Sequence, residues 1–246
     1  MDSTRKPAVA PRARFLVAMR PEAATGESAQ EMARLLGMKP ETARDVLGGS
    51  LPRVVASRSA LHEAESLARV LTARGRESIV WDREVPGVSL FQAERLMLEG
   101  GQFVFEQRSR ARRIIPARDV QCIVDLRLRS ESHGAGKAAL FGGKTDSAEA
   151  GQQFPDRALL IVPEPGLGDP GVLSTRTVDT SKDRFPGVAA SKLLQEAVMK
   201  ARALVPARVV EVRTSPAVLG YQDEDGDALE WVLQLFARLP PRTAAG

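Results

Sequence analysis

The first question is whether any hydroxyl, imidazole, carboxylate or glycine cluster in the chain could carry out a reaction. A Ser-His-Asp hydrolase needs a histidine held within hydrogen-bond reach of its nucleophile. The chain has 2 histidines in 246 residues, His62 in a helical pattern and His133 in a stretch rich in glycine, serine and alanine. No motif ties either to Ser174 or to another hydroxyl, so the sequence is read as carrying no triad. Without Cys or carboxylate at ligand spacing the same histidines carry no zinc site. Gly143-Lys144-Thr145 suggests a phosphate loop, but the first required glycine falls at Ala138 and residues 146–151 do not continue as a helix whose N-terminus could receive a phosphate. Residues 166–171, GLGDPG, match GxGxxG after an apolar run. Residues 172–178 then alternate as a strand does, whereas a dinucleotide site needs a helix there, so the match reads as a Gly-Pro loop.

Asp223, Glu224, Asp225 and Asp227 have the composition of a calcium loop, but Gly226 and Glu230 miss its register, and an acidic turn capping the last helix is expected. Cys122 is the only cysteine, set among Val120, Ile123 and Val124. It cannot form an intramolecular disulfide or a CxxC site, reads as buried filler, and fits a reducing compartment. No cofactor, no metal and no enzymatic activity are expected.

Arg108, Arg110, Arg112 and Arg113 form the densest basic patch, around a hairpin turn. Four guanidiniums there could contact phosphates of nucleic acid or of an anionic membrane. Phe103 and Phe105, the aromatic residues beside them, read as core. A net charge of +4 steers only weakly toward anions.

The elements that would position these residues fall into two groups. Residues 15–20 form a short apolar strand ahead of Pro21. A helix follows, with Ser28 as N-cap and Ala29, Met32, Ala33, Leu35 and Leu36 as its stripe, ended by Gly37. Pro40 suits the first turn of a second helix carrying Ala43, Val46 and Leu47. Residues 53–57 are a strand. Ser59 opens a third helix with Leu61, Ala64, Leu67, Ala68 and Leu71 inward and Gly75 as its cap, and residues 77–81 close the unit as a strand. From Gly101 the period changes to two. Strands are expected at 102–107, 113–116, 119–129, 158–162, 172–178 and 209–212, and helices at 189–205 and 227–239. In 119–129, Gln121, Asp125, Arg127 and Arg129 read as the solvent face of a half-buried strand.

Residues 38–47, MKPETARDVL, resemble the helix-turn-helix signature of the C-terminal domain of the bacterial ribosomal stalk protein. The strand, helix and strand that follow fall at that family's spacing. The resemblance implies a ClpS-like fold and a helix-pair surface that binds other proteins. The family's partner-facing positions on the first helix correspond to Gly26, Ala29, Gln30 and Ala33. Arg44 matches a basic position of the second helix, and Arg34 lies one place from another. The family's dimerising segment and alanine-rich hinge have no counterpart, so ribosomal membership is not expected. Residues 101–205, with a basic turn, an Ile-Pro-x-x-x-Val strand and a late amphipathic helix, weakly resemble bacterial pleckstrin-homology-like domains.

The expected class is thus α+β: a β-α-α-β-α-β (ClpS-like) domain at 15–85 and a mainly antiparallel β domain with C-terminal helices at 101–239. Residues 1–14 and 240–246 are read as tails, 86–100 as a linker, and 130–156 as a long loop. No apolar run reaches the roughly 18 residues of a membrane span and no signal peptide is evident, so a cytoplasmic, bacterial-type protein is expected. Its expected role is that of a non-enzymatic adaptor or scaffold binding another protein through Arg34, Lys39 and Arg44. The alternative is anion binding at Arg108, Arg110, Arg112 and Arg113.

Overall fold

The computed structural model describes residues 13–20, 26–47, 51–129, 156–181, 183, 185–221 and 227–243. Expectations that fall on 1–12, 130–155, 222–226 and 244–246, among them the Gly143-Lys144-Thr145 turn and His133, lie outside the described residues. The chain divides into two compact units, Met1–Pro86 and Gly87–Gly246.

The first unit is built on β1 (Phe15–Met19), every residue of which is buried. It is flanked by β2 (Arg53–Arg58) and β3 (Ser78–Asp82), both antiparallel, in the order β2-β1-β3. α1 (Gly26–Leu36) and α2 (Pro40–Leu47) connect β1 to β2, and α3 (Leu61–Ala73) connects β2 to β3. Gly37, at φ +66°, turns the chain so that Met38 N donates to Ala33 O, and Pro40 then starts α2. Gly75, at φ +77°, ends α3, with Gly75 N donating to Thr72 O and Arg76 N to Leu71 O, a Schellman cap. Alternation sends Phe15, Val17 and Met19 to one face, where they meet Ala29, Met32, Ala33, Ala43, Leu47, Ala64, Leu67 and Leu71.

The second unit contains two sheets. β4 (Phe91–Ala93), β8 (Val120–Leu128), β9 (Arg157–Pro163), β10 (Gly171–Ser174) and β11 (Val209–Thr214) form a mixed sheet in the order β11-β8-β9-β10-β4. The β4–β10 and β8–β11 pairs are parallel, and the inner pairs are antiparallel. β5 (Arg95–Glu99), β6 (Gln102–Glu106) and β7 (Arg112–Pro116) form an antiparallel meander. α4 (Pro186–Leu204) connects β10 to β11 and lays Ala190, Leu194, Ala197, Val198 and Ala201 into a core with Ile123, Leu159, Ile161 and Leu173 of the mixed sheet and Phe103, Phe105 and Ile115 of the meander. The opposite sheet face, with Val124, Leu126, Leu160 and Val162, is buried as well, and α5 (Ala228–Arg238) lies against β9.

Several expectations change. The supposed linker 86–100 folds as β4 and β5, because Phe91–Ala93 pairs with β10, some 80 residues away in sequence, a contact no local pattern reveals. β8 is covered on both faces, so Asp125 is buried rather than solvated. The strand expected at 172–178 stops at Ser174, where Thr177 Oγ1 accepts from Ser174 N at 3.1 Å and makes a turn. α1 already runs from Gly26, so Ser28 is inside it, and α3 is preceded by Ala60 at its N-cap, with Leu61 exposed. Arg14 of the supposed tail is held: its Nη2 donates to Asp82 Oδ2 at 2.6 Å, and the guanidinium carbon sits 5.1 Å from the Phe15 ring centre. Pro240 and Pro241, also read as tail, are buried.

Candidate functional site

The helix pair of the first unit carries an open groove of about 420 Å³, lined by Gln30, Ala33, Arg34, Gly37, Met38 and Pro40. Its shape follows from the turn between the helices. Gly37 has no side chain to fill the corner, and Pro40 restarts the chain at once, so Met38 and Ala33 form an aliphatic floor beside the exposed Arg34. Lys39 and Arg44 are exposed, like Arg34, but do not line the groove. Two contacts fix its frame: Arg74 Nη2 pairs with Glu31 Oε1 at 2.9 Å, tying α3 to α1, and Arg53 Nη1 donates to Asp45 O at 2.8 Å near the end of α2. Burial pulls the Arg53 guanidinium below its usual pKa.

The structure separates the four hairpin arginines. Arg112 Nε pairs with Glu106 Oε2 at 2.7 Å. Arg113 turns away, with Nε donating to Asp169 O at 3.1 Å and Nη2 to Leu167 O at 2.7 Å. Arg108 and Arg110 instead line a pocket of about 190 Å³ together with Arg95, facing Glu94, Glu106 and Asp179. Asp179 is held below the usual carboxylate range by hydrogen bonds from Ser181, then by the charges of Arg108 and Arg95. Arg110 has φ 66°, in the left-handed region that a bulky residue rarely adopts.

The motifs with chemical promise have structural partners here. Ser174 is buried, with its Oγ 3.2 Å from Thr177 Oγ1. The GxGxxG loop points carbonyls, not N–H groups, toward Arg113, the wrong polarity for a phosphate. Asp227 caps α5 as expected, accepting from Leu229 N at 2.9 Å and Glu230 N at 3.1 Å. Cys122 is buried in β8. Among the described residues no group of three His, Cys, Asp or Glu side chains could hold a metal ion, and no helix is long and apolar enough to cross a membrane.

One charged cluster escaped sequence reasoning. Asp125, 1 % exposed, accepts from Arg157 Nε at 3.2 Å, from Arg157 Nη2 at 3.3 Å and from Arg127 Nη2 at 3.4 Å. Arg127 also lies 3.8 Å from Glu211, which pairs with Arg202 of α4 at 3.4 Å. The available signal was three charged residues, Asp125, Arg127 and Arg129, at alternate positions of a strand otherwise rich in valine, isoleucine and leucine. Burial on both faces turns such a row into a network. The chain is an α+β protein by its observed elements. Compared with protein-family models, curated proteins and solved structures, it matches none of them.

Proposed function

We propose that the protein is a non-enzymatic, cytoplasmic adaptor whose first unit is a ClpS-like domain that docks a partner protein on the α1–α2 surface. The observation that carries this reading is the groove with its aliphatic Ala33, Met38 and Pro40 and its basic Arg34. It suits a segment that presents an apolar side chain beside a carboxylate, with Lys39 and Arg44 extending the positive rim. The β1-α1-α2-β2-α3-β3 order and the antiparallel β2-β1-β3 sheet support the ClpS-like assignment. In the second unit, the β5–β6–β7 meander and the late amphipathic α4 support the pleckstrin-homology-like reading.

The test is affinity capture at low and high salt with nuclease treatment, comparing the native chain with Arg34→Glu/Arg44→Glu and with Met38→Asp. A partner protein that persists at high salt and is lost with both variants is the expected result. A partner that both variants retain sinks the groove as its docking site.

A second reading, anion binding by the hairpin, is narrowed to Arg108 and Arg110, which Arg95 of β5 joins in one pocket. The observation favouring it is Arg110 in the left-handed region, a conformation costing about 1–2 kcal/mol that glycine would relieve.

A further inference from the structure

Register sets three arginines side by side across the mixed sheet of the second unit. Arg213 of β11 lies opposite Arg127 of β8, and Arg127 opposite Arg157 of β9. Register partners leave a sheet on the same face, and like charges on neighbouring strands repel. The next row along the strands holds Glu211 and Asp125. These carboxylates answer only part of the positive charge, because Asp125 is committed to Arg157 and Arg127, and Glu211 is shared between Arg127 and Arg202. Among the described residues Arg213 makes no ion pair, and the buried Nε of Arg127 has no hydrogen-bond partner. Beside them, Arg157 is only 7 % exposed and locked by two bonds to a buried carboxylate. The Arg127 Nε is sealed from solvent, so the group offered to a ligand is the exposed Arg213 guanidinium, with the part-exposed end of Arg127 beside it on a rigid base.

We propose that this row is a binding site for a compact oxyanion, the phosphate or diphosphate group of a small ligand. Arg213 and Arg127 make the contacts, and Asp125 with Arg157 positions Arg127. Guanidinium forks match phosphate oxygens bidentately, which a single ammonium does not. The row spans two inter-strand spacings, about 10 Å. Along the strands, arginine alternates with carboxylate, as in Glu211 and Arg213 on β11 and Asp125 and Arg127 on β8. A polyanion laid along β8 or β11 meets those carboxylates, whereas a compact group laid across the strands meets arginines alone.

The experiment is calorimetric titration of the full chain with inorganic phosphate and with pyrophosphate at constant ionic strength. It is repeated on Arg213→Gln and on Arg69→Gln, an exposed α3 position in the first unit. The expected result is saturable binding by the native chain and by Arg69→Gln, weakened about tenfold or more in Arg213→Gln. Thermal melts supply a second reading that does not depend on heats of binding. In chloride, Arg213→Gln is the more stable protein because a like charge is gone; in saturating pyrophosphate the order reverses. No saturable binding, or binding untouched by Arg213→Gln, overturns the proposal. So does a single-stranded oligonucleotide that binds more tightly than pyrophosphate.

Discussion

Asp227 performs two tasks with one carboxylate. Its Oδ1 caps α5, while Oδ2 accepts from Arg176 Nη1 at 2.6 Å, and Arg176 Nη2 in turn holds Asp156. Burial pushes the Asp227 carboxyl up, but the Glu230 N–H and the Arg176 guanidinium outweigh it and hold the group below its usual value. A carboxylate depressed in the folded state adds stability that is present above its unfolded pKa, about 3.9, and is lost as pH falls through the lower folded value. Asp227→Ala is therefore expected to lower stability by about 1 kcal/mol in urea melts at pH 7, with the difference narrowing below about pH 4. Asp227→Asn keeps the cap and costs less. An undiminished Asp227→Ala penalty at pH 3 would show that the charged form plays no part.

At the scale of elements, the short strand β10 depends on one missing side chain. A Cβ on Gly171 would lie 2.3 Å from Phe105 Cε2, and Phe105 is wholly buried in β6 between its neighbours. Gly171→Ala should cost about 1–3 kcal/mol, seen as a lower urea midpoint. A neutral Gly171→Ala would mean that the meander does not press on β10. This contact also marks the limit of what the sequence disclosed. The GLGDPG stretch was legible as a loop rather than a cofactor site, since no helix pattern followed it. That an aromatic ring from 66 residues upstream rests on its last glycine, as the contact between Phe105 and Gly171 implies, was not legible. Periodicity reports the faces of an element and is silent about which element covers them. For the same reason the helices and most strands were readable, while the parallel pairs of β4 and β11 and the burial of Asp125 were not. In the groove, Arg34 was readable as a basic residue beside a helix turn and Gln30 and Ala33 as positions that the resemblance implied, but the part played by Met38 depends on the angle that Gly37 and Pro40 impose.

At the scale of the whole molecule, the core of the first unit and the α4 core of the second share no residue: Leu71 belongs to one and Leu194 to the other, and both are fully buried. The chain's 2 tryptophans fall one in each unit. Trp81 is in β3, 8 % exposed, and Trp231 is in α5, edge-on to Tyr221 at 5.3 Å between ring centres. Each can be read alone after Trp231→Phe or Trp81→Phe replacement. Truncating a buried leucine removes about 2–5 kcal/mol from the cooperative unit that contains it. Leu71→Ala should therefore move the urea transition reported by Trp81 and leave that of Trp231 in place, and Leu194→Ala should do the converse. The outcome bears on both proposals, because the proposed docking groove lies in the first unit and the proposed oxyanion row in the second. If either substitution shifts both tryptophan transitions together, the chain unfolds as a single cooperative body and the division into two independently stabilised units fails.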